Sequence, residues 1–119
     1  VEWTKARLNT FIIAALRKAT SRYPPKYECL AEAYVGQKVN LKTGREGKHY
    51  LCATCCGEFP AKEVQVDHIY PVIQPDVGFT SWDDYIERLF CAKDDMQVLC
   101  TQCHSIKTKE ENNGRKARN

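Results

Sequence analysis

Between residues 4 and 20, Leu8, Phe11, Ile12, Ala15, Leu16 and Ala19 recur at the i, i+3, i+4, i+7, i+8, i+11 spacing of one helix face, so the pattern predicts an amphipathic helix. Lys5, Arg17, Lys18 and Arg22 fall largely off that stripe, which lets the helix bury one face and offer positive charge on the other. Pro24-Pro25 is expected to end it, with a second short helix from Tyr27 to Tyr34 that stops before Gly36. Residues 36–49 hold three glycines among polar residues and read as a loop or hairpin, assigned here as a connector. From Glu63 to Asp67 polar and apolar residues alternate as in a half-buried strand, which delivers Asp67 and His68 before Pro71 ends it. Trp82, Tyr85, Ile86, Leu89 and Phe90 return to helical spacing, with Ser81 as N-cap and Asp83 and Asp84 in the first turn. Met96 to Leu99 is a short apolar run, and a final helix is expected from near His104 toward Glu111, broken at Asn112-Asn113-Gly114.

At 119 residues, 43% apolar and 28% charged, the composition is that of one globular domain and not of a disordered or collagen-like chain. The most apolar run, Phe11 to Leu16, is far short of the roughly 20 residues of a membrane span, and Val1-Glu2-Trp3-Thr4 lacks the pattern of a secretory signal. A cytoplasmic protein is expected. The net charge of +3 is unevenly placed: residues 1–30 carry +4, residues 31–60 +1, residues 61–104 −5 and residues 105–119 +3. Basic ends suit a polyanion and an acidic middle suits a divalent cation.

Seven cysteines cannot all pair internally, and two C-x-x-C units stand out, Cys52-Ala53-Thr54-Cys55 and Cys100-Thr101-Gln102-Cys103. Each is a tight turn that presents two thiolates, and together they complete the tetrahedral shell of a structural zinc across the 44 residues between Cys55 and Cys100. Cys56 beside Cys55 and His104 beside Cys103 are alternative ligands that spacing leaves open. Cys29 and Cys91 have no partner at ligand spacing and read as small buried hydrophobes. A closed four-thiolate site leaves no open coordination position, so chemistry falls to Asp67, His68 and His104, which the zinc would draw together. One carboxylate and one imidazole can hold a divalent ion, and a neutral His68 can deprotonate water near neutral pH. His49 has no such context and reads as a surface or structural residue.

Cys52-x-x-Cys55, then Val66-Asp67-His68-Ile69-x-Pro71-Val72, then Met96-Gln97-Val98-Leu99-Cys100-x-x-Cys103-His104-x-x-Lys107-Thr108 resembles the zinc-containing HNH endonucleases, especially the small phage-encoded ones. The motif covers roughly residues 50–110, and the basic first helix and Glu87-Arg88-Leu89-Phe90-Cys91 are similar to the phage group as well. The resemblance implies an α+β fold: a ββα-metal core stapled by the four-cysteine zinc site, with added N-terminal and inserted helices. It divides the single domain 1–119 into a helical extension and connector (1–49), the core (50–111) and a basic tail (112–119). It further implies a metal-dependent endonuclease that nicks or cuts double-stranded DNA, with His68 as general base, Asp67 and His104 on a catalytic Mg²⁺, Mn²⁺ or other transition metal, and 5′-phosphate and 3′-hydroxyl products. Asp95 departs from the family's usual Asn; an aspartate there can accept a hydrogen bond from the imidazole and adds negative charge beside the metal. Thr108 stands where a further ligand often sits, so the shell is expected to be open to water.

Phosphate contacts are expected from Lys5, Arg17, Lys18 and Arg22 and from Lys107, Lys109, Arg115, Lys116 and Arg118. Phage relatives are often encoded beside packaging genes, so a terminase or another packaging protein is an implied partner, in the cytoplasm of a bacterial host. The rival reading is a non-catalytic zinc-dependent DNA-binding module in which Asp67, His68 and His104 are structural. A third is a thiol redox protein, with disulfides in place of zinc.

Overall fold

Thr4 caps the first helix, its Oγ1 accepting from Arg7 N at 3.2 Å, and in the computed structural model, which describes residues 2–118, α1 runs Lys5–Ala19. The apolar stripe is only partly used. Of the stripe Leu16 packs on the body, joined by Ile13 from outside it, whereas Leu8 and Phe11 stay exposed and Phe11 stacks edge-on against Trp3 at 5.3 Å. Pro24-Pro25 does not simply end α1, which closes in a 3-10 turn over Thr20–Arg22. The two prolines open α2, Pro24–Glu32, because the N–H groups they lack have no partner at a helix start anyway.

Where the helix was expected to reach Tyr34, a strand begins instead: β1, Tyr34–Val39, turns back into β2, Glu46–Leu51, with β3, Glu58–Pro60, on its far side. Gly36 belongs to the strand, its φ of +110° absorbing a bulge between Tyr34 and Gly36. The segment assigned as a connector is therefore a hairpin, and the expected boundary at residues 49 and 50 lies inside β2. His49 is buried there, its Nδ1 2.9 Å from the Gly47 carbonyl.

A second sheet positions the site. β4, Val64–His68, pairs antiparallel with β5, Met96–Cys100, in a register that sets Val64 opposite Cys100 and His68 opposite Met96. The intervening chain carries α3, Trp82–Leu89, capped as expected by Ser81, whose Oγ accepts from Asp84 N. Tyr85 and Leu89 of α3 bury with Val72 against Ile13 and Leu16 of α1. Met96 and Val98 pack with Cys29 and Tyr50, which ties the second sheet to α2 and the hairpin.

The final helix, α4, runs Thr101–Arg118, starting earlier than expected and passing through Asn112-Asn113-Gly114 without a break. Gly114 is used for close approach: a Cβ there would lie 3.0 Å from the Pro75 side chain. Residues 112–118 are thus helical and not a loose tail. No helix among the described residues is long and apolar enough to cross a membrane.

Candidate active site

The two cysteine pairs meet because β5 ends where α4 begins and the turn after β2 folds against it, with Ala53 N donating to Val98 O at 2.8 Å. The Sγ atoms of Cys52, Cys55, Cys100 and Cys103 all lie within 4.8 Å of one another, with Cys55 and Cys100 at 3.9 Å. Tetrahedral zinc with sulfur at about 2.3 Å needs sulfurs about 3.8 Å apart, so the cluster fits the ion. Neither Cys56 nor His104, the alternatives that spacing left open, is part of this cluster. Cys56 has a left-handed φ of 60°, and a Cβ on Gly57 would meet the Phe59 ring at 2.8 Å, so the turn depends on both. Cys29 is buried and Cys91 half-buried, and burial raises both thiols, as expected of packing residues.

Without metal the four sulfurs cannot all ionise. Burial opposes the Cys52 thiolate, but backbone N–H groups of Cys55, Cys100 and Thr54 bring it down to about 6. Hydrogen bonding to Cys100 and burial push Cys103 up to about 12; Cys55 is raised as well, burial and its bond to Cys52 outweighing the Gly57 N–H. At pH 7 Cys55 and Cys103 therefore hold protons that a metal must displace. Zinc affinity should fall by at least about 100-fold for each pH unit below 7, two protons being taken up per ion released; a competition titration with a chromophoric chelator measures the slope.

The second group forms where β4 runs under α4. His104 Nε2 lies 3.6 Å from Asp67 Oδ1, close enough for one cation to touch both. The other oxygen of Asp67 accepts from Lys107 Nζ at 2.8 Å and from Gln97 Nε2 at 3.2 Å. Lys107 also reaches Glu111 at 3.1 Å and the His68 carbonyl at 2.6 Å. Burial alone would lower its pKa, but the hydrogen bonds to Asp67 and Glu111 raise it, so the ammonium stays charged. His68 Nε2 lies 2.8 Å from the Leu89 carbonyl, which can only accept, so Nε2 carries the proton and Nδ1 keeps a free lone pair.

Two expectations change here. The imidazole's partner is the Leu89 carbonyl and not the Asp95 carboxylate, because the end of α3 packs over β4. Asp95 instead accepts from Ile69 N through its main-chain oxygen at 2.9 Å, and it lines a cavity of about 500 Å³ with Tyr70, Glu87 and Arg88. Lys107, expected on phosphate, is committed to internal partners. Lys5, Arg17, Lys18, Arg22, Lys109, Arg115 and Lys116 are exposed, as phosphate contact requires, and the Arg118 side chain lies outside the described residues. Gln97 went unnoticed in the sequence because only the strand register sets it opposite Asp67.

Among known proteins, the chain is 36% identical over 64 residues to a curated relative from Lactococcus phage SK1 named "Probable HNH endonuclease". That supports an HNH relationship. The aligned part covers 52% of this chain and 61% of the relative, so the chain spans about three-fifths of that HNH protein's length. No family model matches the chain, and no solved structure matches it. An HNH relationship agrees with the mixed helix and sheet fold and with a four-cysteine cluster able to hold a metal.

Proposed function

We propose that this chain is a metal-dependent endonuclease hydrolysing phosphodiester bonds of double-stranded DNA, with β4, β5 and α4 as a ββα-metal core. The observation that carries the reading is the approach of His104 to Asp67 across α4 and β4, next in the strand to a His68 whose Nε2 is taken by the Leu89 carbonyl. Nδ1 of His68 takes a proton from a water as its oxygen attacks phosphorus; the P–O3′ bond then breaks and the leaving O3′ takes a proton from solvent, giving a 5′-phosphate and a 3′-hydroxyl. A divalent ion held by Asp67 and His104 would stabilise charge on the phosphate and the leaving oxygen. Gln97 and Lys107 orient the Asp67 carboxylate, and Lys107 also holds the His68 carbonyl and hence the base. A structural zinc held by Cys52, Cys55, Cys100 and Cys103 would keep β5 and α4 in this arrangement from outside the chemistry.

Lys107 gives this reading a second test. Replacing it with Met removes the competing positive charge from Asp67, leaving Gln97 on its second oxygen, and frees Glu111, so Mn²⁺ should bind about tenfold tighter, about 1.4 kcal/mol, while cleavage falls because the base loses its hold. Titration of Mn²⁺ by electron paramagnetic resonance reports the first effect independently of activity. The same ammonium favours a second reading, a zinc-dependent DNA-binding module in which Lys107 permanently takes the cation's place beside Asp67. Supercoiled plasmid incubated with the zinc-loaded protein and Mg²⁺ or Mn²⁺ separates the two. Metal-dependent relaxation or linearisation is expected; intact plasmid with every metal, from protein that binds DNA, establishes the module.

A further inference from the structure

The β1–β2 ribbon is not used by any step above, yet it is built as a projecting element. Only His49–Leu51 of β2 pair with β3, so Gln37–Val39 and Glu46–Lys48 pair with each other alone. The turn at its end is tightly bonded: Asn40 N donates to Arg45 O at 2.8 Å and Gly44 N to Asn40 O at 2.7 Å. The Asn40 and Thr43 side chains accept from Lys42 N and Arg45 N at 2.9 and 3.2 Å, and Gly44 closes the turn at a φ of +73°. This frame holds Leu41 outward with 96% of its surface exposed.

One exposed leucine is ordinary on a protein surface; its surroundings give this one meaning. Residues 34–51 carry Lys38, Lys42, Arg45 and Lys48 against a single acid, Glu46, a local charge of +3. Arg45 and Lys48 have no ion-pair partner among the described residues, and Lys38 and Lys42 have only surface pairs, with Glu58 and Glu63, that a phosphate can displace. The tip is also continuous with α4. Lys42 borders a cavity of about 580 Å³ that it shares with its ion-pair partner Glu63, with Phe59 and Cys100, and with Gln102, Ser105, Ile106 and Lys109 of the helix that carries His104.

We propose that this ribbon is a DNA-gripping element. Its tip enters a groove of the duplex with Leu41 as an apolar wedge against the bases, while Lys42, Arg45 and Lys48 hold flanking phosphates and the cleft beside α4 receives the sugar-phosphate backbone. The proposal rests on DNA being the substrate.

The test uses the full zinc-loaded chain in a His68→Ala background, so that nothing is cut, and a short duplex containing 2-aminopurine, whose fluorescence rises when its base unstacks. Replacing Lys42, Arg45 and Lys48 together with Ala should weaken binding at least about tenfold and lower the slope of log K against log salt by about 2 to 3, roughly one per lost phosphate contact. Leu41→Ala should keep most of the affinity and lose the fluorescence rise, and Leu41→Phe should retain it. Zinc content and circular dichroism certify that the variants are folded. Parental affinity and salt slope in the triple variant overturn the proposal, and an unchanged fluorescence rise in Leu41→Ala overturns the wedge. Plasmid cleavage by the parent with unaltered binding in the ribbon variants removes the ribbon and leaves the nuclease standing. Ribbon-dependent DNA binding by a parent that never cuts does the reverse.

Discussion

Stripping zinc from the protein is expected to unfold it. The four sulfurs join the turn after β2, the end of β5 and the first turn of α4, with 44 residues between Cys55 and Cys100. Apparent zinc-binding energies of about 10–16 kcal/mol for such sites match or exceed the whole stability of a small domain, about 5–15 kcal/mol. The cluster also sits beside part of the core: Cys52 and Leu99 are almost wholly buried and pack with Cys100, Phe59 and Cys103. Four unmetallated thiols in that position cannot share charge favourably, as the separation between Cys52 at about 6 and Cys103 at about 12 shows. Circular dichroism during titration with a strong chelator should lose its cooperative thermal transition in step with zinc release, and Cys100→Ser should behave as the chelated protein does. An unchanged melting transition in zinc-free protein would reduce the ion to a surface ornament.

His68→Ala should lower the rate of metal-dependent plasmid cleavage by about 10²–10⁴-fold, or about 3 to 5 kcal/mol in the barrier, with DNA affinity changed by no more than about twofold. The argument is in the two ring nitrogens. Nε2 is taken by the Leu89 carbonyl, so the ring offers water a single basic atom in a fixed direction. Alanine removes the base and also the link between β4 and α3. His68→Gln separates these effects, because its amide N–H can still reach the Leu89 carbonyl while supplying no base. Both variants should be equally inactive, and the glutamine variant should melt closer to the parent. Retained cleavage in either one would assign the proton transfer to a different group.

Much of this arrangement was legible in the chain because it is written locally. Helical spacing with Ser81 as cap gave α3, alternation gave β4, and two C-x-x-C units gave the four ligands that meet. The errors arose where local rules compete. Pro24-Pro25 stops one helix and starts another equally well, and Gly36 and Gly114 look like breakers although one serves a bulge and the other a close approach to Pro75. The stripe of α1 overstated its burial, since amphipathicity does not specify how much of a face finds a partner; Leu8 and Phe11 found none inside the body. Gln97 and Lys107 were out of reach for a different reason. Their proximity to Asp67 comes from strand register and from the seating of α4, which no spacing along the chain encodes.

The contact between His68 and Leu89 uses a main-chain carbonyl at the last residue of α3. The hydrogen bond itself is made by the main chain, so the side chain at position 89 enters only through the packing that holds the helix end in place. That packing runs through Tyr85 and Leu89 to Ile13 and Leu16 of α1. The orientation of the base is thus inherited from a part of the chain that bears no motif. A hybrid that kept every ligand and the histidine but exchanged residues 69–95 for a plain linker would preserve the signature and lose the hand that aims it.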